Sequence, residues 1–153
     1  MQRFCVSACR LALGAWLGMA VFFSTVTLRP LRAPELEADL KPGLTRLVFP
    51  GYYAFGCTLL AVALVSGSAA CGHPQAASPR WKLALVLSGV SLAGMLLDIG
   101  LIYLPLAEMM ERVQSTHVQP GEFRGYHLAS MGINAAVVAL GGLATMLVHW
   151  PQK

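Results

Sequence analysis

The stretch LALVLSGVSLAGMLLDIGLIYL, residues 83–104, holds 22 residues and a single acid, Asp98. A helix spans the hydrocarbon of a bilayer with roughly 20 apolar residues, so this run is long enough and apolar enough to cross one. Three other runs meet the same criterion, at 11–28, 47–66 and 129–150. The whole chain agrees with them. Of its 153 residues, 56% are hydrophobic and only 12% charged, with a mean hydropathy of +0.62, far more apolar than a soluble domain of this length requires. The pattern predicts a single domain, 1–153, in the all-α class: an integral membrane bundle of four helices solvated by lipid. The first run also resembles a secretory signal, but no small-x-small cleavage site follows Phe22-Phe23-Ser24-Thr25. It is therefore read as a retained helix.

The connections differ in character. Within the first loop, 29–46, the segment 33–41 reads as a short amphipathic helix lying on the membrane surface. Pro34 suits its first position, Leu36, Leu40 and Leu44 recur at four-residue spacing, and Lys41-Pro42-Gly43 is expected to end it. The second loop, 67–79, is Gly, Ser, Ala and Pro with almost no charge and reads as a simple connector. The third begins with good helix formers, 107–113, which predicts a third helix running past the membrane, bent at Pro105 and ending near Ser115.

The formal charge of +4 does not point to nucleic acid, because all eleven basic residues lie at helix ends or in loops. Arg3, Arg10, Arg80, Lys82 and Lys153 share one membrane face with no acid. Arg29, Arg32, Lys41, Arg46, Arg112 and Arg124 lie on the other, where Glu35, Glu37, Asp39, Glu108, Glu111 and Glu122 balance them. Basic residues alone divide five against six and net charges +5 against 0, so the expectation of cytoplasmic termini in a bacterial inner membrane rests on the net values. Cys5, Cys9, Cys57 and Cys71 form no disulfide framework. Cys5, Cys9, Cys71 and His73 could in principle gather as a metal site on one face, but their spacing fits no known ligand pattern, and no metal site is assigned.

In lipid, helix contact faces are marked by small residues and hydrogen-bonding side chains rather than by hydrophobicity. Such stripes run through Gly14, Gly18 and Thr25, through Ser91, Gly94 and Asp98, and through His127, Ser130, Asn134, Gly141 and Thr145. Asp98 lies six residues inside Leu104, about 9 Å at the helical rise, and Asn134 lies five inside Ala129, so the two are expected to meet in the interior at one depth. Thr25, Tyr52, Tyr53 and His127 come from the same half of the bilayer. An ionisable group in a membrane costs about 2.5–3.5 kcal/mol on insertion scales, so Asp98 needs partners. Two states are open to it, a neutral carboxyl donating to Asn134 or a tyrosine and a carboxylate facing a protonated His127. The candidate ligand-binding set is Asp98, His127, Ser130, Asn134, Tyr52, Tyr53 and Thr25. An inter-helix hydrogen bond that only fixes packing is the competing account.

Gly18-Met19-Ala20-Val21-Phe22-Phe23 near the end of the first span, Leu47-Val48-Phe49-Pro50-Gly51-Tyr52-Tyr53 at the start of the second, Tyr103-Leu104-Pro105 at the end of the third, and His127-x-x-Ser130-x-x-x-Asn134 in the fourth resemble the bacterial relatives of transmembrane protein 205, whose bacterial branch carries a domain of unknown function. The resemblance runs from about Leu11 to Leu147. It implies a four-helix membrane fold and a shared His-x-x-Ser-x-x-x-Asn face, and it carries no reaction and no cofactor. Asp98 is not part of the shared motifs.

No nucleophile motif, phosphate loop, paired carboxylates or C-x-x-C is present, so no catalytic residue is assigned and an enzyme is not the favoured class. Three functions stay open. The first is a polar half-pocket binding a small ligand, proton or cation in a small transporter or accessory factor. The second is a structural or assembly subunit of a larger membrane complex or homo-oligomer. The third, weaker, is a haem- or copper-linked redox protein using His127 with Met95, Met109, Met110 or Met131. The cofactor, if any, is unknown.

Overall fold

The computed structural model describes residues 1–29, 40–70, 72–113 and 120–151. The chain is all-α. A first helix, Gln2–Phe22, continues through a π-helical turn, Phe23–Thr27, and a second runs over Leu40–Ala69. A short 3-10 turn, Pro74–Ala77, leads into a third helix, Pro79–Asp98, which passes through a second π-helical turn, Ile99–Tyr103, into the extension Leu104–Val113. The fourth helix is Pro120–His149. All four spans are long and apolar enough to cross a membrane.

The helices pack as a ring in chain order, each against its neighbours in sequence and the first against the fourth. Large side chains sit in places that glycine leaves open. Trp16 packs where a methyl on Gly141 would be, Met95 covers Gly56, Leu85 covers Gly67, and a Cβ on Gly94 would lie 2.8 Å from Val137 Cγ2. Backbones approach closely at these points, as packing in lipid requires. Outside the ring, Val62, Val86, Leu97, Leu101, Leu143 and Met146 are exposed, a surface suited to acyl chains and not to water. On the loop-two side, Arg10 Nε donates to the Val148 carbonyl at 2.8 Å. It satisfies one of the last carbonyls of the fourth helix and meets the negative end of its dipole.

Three local features depart from the expectations. The second helix already includes Lys41, Pro42 and Gly43, because a proline in the first turn forfeits an N–H that has no partner there. The remainder of the expected loop-one helix lies outside the described residues, as do Cys71 and Ser115. The second connection is more than a linker. His73 Nδ1 accepts from Gln75 N at 3.3 Å, Ser78 Oγ accepts from Trp81 N at 3.2 Å, and Trp81 Nε1 donates to the Gly67 carbonyl at 3.2 Å. Finally, the third helix does continue beyond the apolar run, but its irregularity precedes Pro105. Pro105 offers no N–H to the Leu101 carbonyl, and the π turn occupies the five residues ahead of Leu104.

The first-span stripe also needs correction. Gly14, Gly18 and Thr25 are exposed, and a Cβ on either glycine would meet nothing within 4 Å. The face turned inward carries Cys9, Leu13, Trp16 and Ala20, since the glycines that receive Trp16 and its like stand on the other helices.

Candidate functional site

Asp98 ends the regular part of the third helix and is 1% exposed. Its Oδ2 accepts three hydrogen bonds, from Tyr53 Oη at 2.5 Å, Asn134 Nδ2 at 2.6 Å and Ser130 Oγ at 3.2 Å. Asn134 Oδ1 accepts in turn from Tyr52 Oη at 3.2 Å. Asn134 Nδ2 also reaches the Ser130 carbonyl at 3.1 Å. Three helices thus contribute to one network: the second gives adjacent tyrosines, the third the acid, and the fourth Ser130 and Asn134 one turn apart. Asp98 and Asn134 meet in the interior at the same level, as counting from the helix ends requires.

The donors converge on one oxygen. Asp98 Oδ1 is buried and has no hydrogen-bond partner. An ionised carboxylate accepts through both oxygens, about four lone-pair sites in all, and a buried polar atom left without a partner is costly. Half of this carboxylate is therefore saturated by the protein and half is open.

Aromatic rings wall the tyrosine side of the network. Phe23 of the first helix stacks on Tyr52 with centroids 4.1 Å apart, while Tyr53 packs between Tyr52 at 5.4 Å and Tyr103 at 5.3 Å. Phe49 lies 6.0 Å from Tyr103 and nearly parallel to it. Arg46 Nη2 reaches the Ala107 carbonyl at 3.5 Å on the loop side of these rings. One helical turn closer to the loops than Asp98 and Ser130, a cleft of about 380 Å³ opens, lined by Ile102, Met109, Gly125, Tyr126 and Ala129.

Of the residues singled out from sequence, the structure brings together Asp98, Ser130, Asn134, Tyr52 and Tyr53. It does not bring Thr25 or His127 into the network's hydrogen bonds; both are exposed. Thr25 donates to the Val21 carbonyl at 2.7 Å. It follows Phe23 by two residues, about 200° around a helix, so with Phe23 turned inward Thr25 faces out. His127 stands with Arg124, Gly125 and Leu128 in the exposed first turns of the fourth helix. Among the described residues no three of His, Cys, Asp and Glu group to hold a metal. Phe23 and the cleft-lining Ile102, Tyr126 and Ala129 are not in the candidate set read from the sequence. Phe23 is marked in the sequence only as the end of the first-span motif, and the cleft depends on how the third helix's extension and the fourth helix come together, which residue counting does not give.

Comparisons with protein-family models, with curated proteins and with solved structures give no match to this chain.

Proposed function

We propose that the protein is a small multi-pass protein of a bacterial inner membrane, with both termini cytoplasmic and kin to the transmembrane protein 205 relatives. On this proposal its Asp98 cluster binds a small ligand, proton or cation in the course of transport. The observation that carries it is Asp98 Oδ1, buried without a partner beside an oxygen that holds three. A carboxyl that served only to lock helices would gain by sharing its donors between both oxygens, whereas an open acceptor in a low-dielectric interior is where a positive charge is held most strongly.

Vesicles containing the purified chain and a trapped pH-sensitive dye test this. An imposed pH gradient should collapse faster than in protein-free vesicles, or an imposed sodium or potassium gradient should do so with a matching ion dye, and Asp98→Asn should abolish the difference. Rates equal to protein-free vesicles in every arm would overturn the proton and cation forms of the proposal.

A second function, an assembly subunit, draws support from Gly14 and Gly18. Their Gly-x-x-x-Gly face is exposed and unoccupied, the type of surface on which membrane helices pair closely. A stoichiometric complex on native gels in mild detergent, dispersed by Gly14→Leu, is its expected signature; migration as a monomer in both would remove it.

A further inference from the structure

The cleft and the open carboxylate oxygen are neighbours in the fold. Ile102 follows Asp98 and Tyr126 precedes Ser130 by one turn each, so the walls of the cleft are the next turn of the two helices that carry the acid and one of its donors. We propose that the two form a single site for a protonated amine with an apolar body, its ammonium on Asp98 Oδ1 and its body in the cleft between Ile102, Met109 and Ala129. The proposal rests on Asp98 being a binding group and names the class of ligand.

Chemistry selects this class over the alternatives. A hard inorganic cation needs several oxygen ligands, six or more for the divalent ions, whereas the network offers one carboxylate, and the hydroxyls of Tyr53, Tyr52 and Ser130, which donate to their neighbours, add only neutral lone pairs. Oδ1 is the carboxylate oxygen that has no hydrogen-bond partner. An ammonium needs fewer oxygens. It gives N–H to Oδ1 and gains from the faces of aromatic rings, of which Tyr53 packs on Tyr103 beside the network and Tyr126 lines the cleft. An anion would meet a buried acid. The volume of about 380 Å³ falls at the small end of the roughly 300–1,000 Å³ typical of small-molecule sites, which fits a compact amine. Its walls are apolar apart from the Tyr126 hydroxyl, so the body of the ligand should be apolar as well. The π turn, Ile99–Tyr103, follows the acid directly and contributes Ile102 to the cleft, and such turns occur frequently at functional sites. Ile102, buried in that turn and lining the cleft, is on this proposal the side chain that must move to join the two.

Titration calorimetry on the full chain in lipid nanodiscs tests the site with 2-phenylethylamine, its trimethylammonium analogue and 2-phenylethanol, each referred to empty discs. The amine should give saturable heat at one per chain. The trimethyl compound, with no N–H for Oδ1, and the neutral alcohol should bind at least about tenfold more weakly, a difference of about 1.4 kcal/mol. Asp98→Asn should weaken the amine by a similar factor. Ala129→Trp, which fills the cleft away from the hydrogen bonds of Asp98, should do the same, and Met109→Trp replaces it if that variant does not fold. Heat no greater than in empty discs, or amine affinity unchanged by Asp98→Asn or by filling the cleft, overturns the amine site. Ion flux that depends on Asp98 without amine heat also overturns it, leaving the broader proposal standing. Amine heat that depends on Asp98, with or without flux, supports it.

Discussion

Asp98 receives a phenol, an amide and a hydroxyl on one oxygen, and the three are unequal in length and consequence. Hydrogen bonds between membrane helices average about 0.6 kcal/mol and reach about 1.7 kcal/mol. The short bond from Tyr53 belongs near the upper figure, because its acceptor is the buried acid itself. The longer bond from Tyr52 ends on a neutral amide and belongs near the mean. Tyr53→Phe should therefore lower unfolding free energy in detergent by about 1.7 kcal/mol and Tyr52→Phe by about 0.6 kcal/mol, measured by denaturant titration of the purified variants. Losses near zero for both would mean that the two tyrosines act through their rings, which pack with Phe23, Phe49 and Tyr103 and which phenylalanine keeps, and not through their hydroxyls. The acid, both tyrosines, Ser130 and Asn134 were legible in the sequence, because polar groups in an apolar run must find one another and residue counting fixes their depth. Thr25 was misplaced by the same counting. Depth says nothing of azimuth, and Phe23 takes the inward direction two residues earlier.

At the level of elements, four spans were evident from apolar length, while which side of each span faces in was evident only in part. The small-residue rule found Ser91, Gly94 and Asp98, and Gly141 and Thr145, correctly as inward. It failed on the first helix, which turns Trp16 inward and leaves Gly14 and Gly18 outside. The rule identifies where backbones approach, but an approach also occurs where one helix supplies the large side chain and the other the gap. Gly141→Ala places a methyl in the Trp16 ring and should destabilise by about 1–3 kcal/mol, as overpacking does. Gly14→Ala enters open space and should change stability by less than about 0.5 kcal/mol. Thermal unfolding of the two variants in one detergent compares them directly; a larger effect at Gly14 would mean that its face is occupied by a partner in the preparation. The π turn could not be located from sequence. Proline at 105 announces a fault in the helix but not on which side the chain absorbs it, and here the preceding residues do so.

For the whole molecule, ring order and the link from Arg10 to Val148 define two ends, one holding the loop-two contacts and the other the Asp98 network. Orientation decides which compartment the cleft serves. In cells whose Cys5, Cys57 and Cys71 are replaced by alanine, a cysteine at Arg124 should react with a membrane-impermeant maleimide from outside, and one at Arg80 only after permeabilisation. Buried Cys9 stays silent in both, and the reverse pattern would invert the molecule. Either way, the divided carboxylate separates two duties that one side chain would ordinarily confuse. On the proposed amine site, Oδ2 would belong to the scaffold and Oδ1 to the ligand, so an occupant would arrive or leave without any helix giving up a bond. Exchange at a site so divided would be limited by access past the side chains around Oδ1 and not by the bonds that hold the helices together.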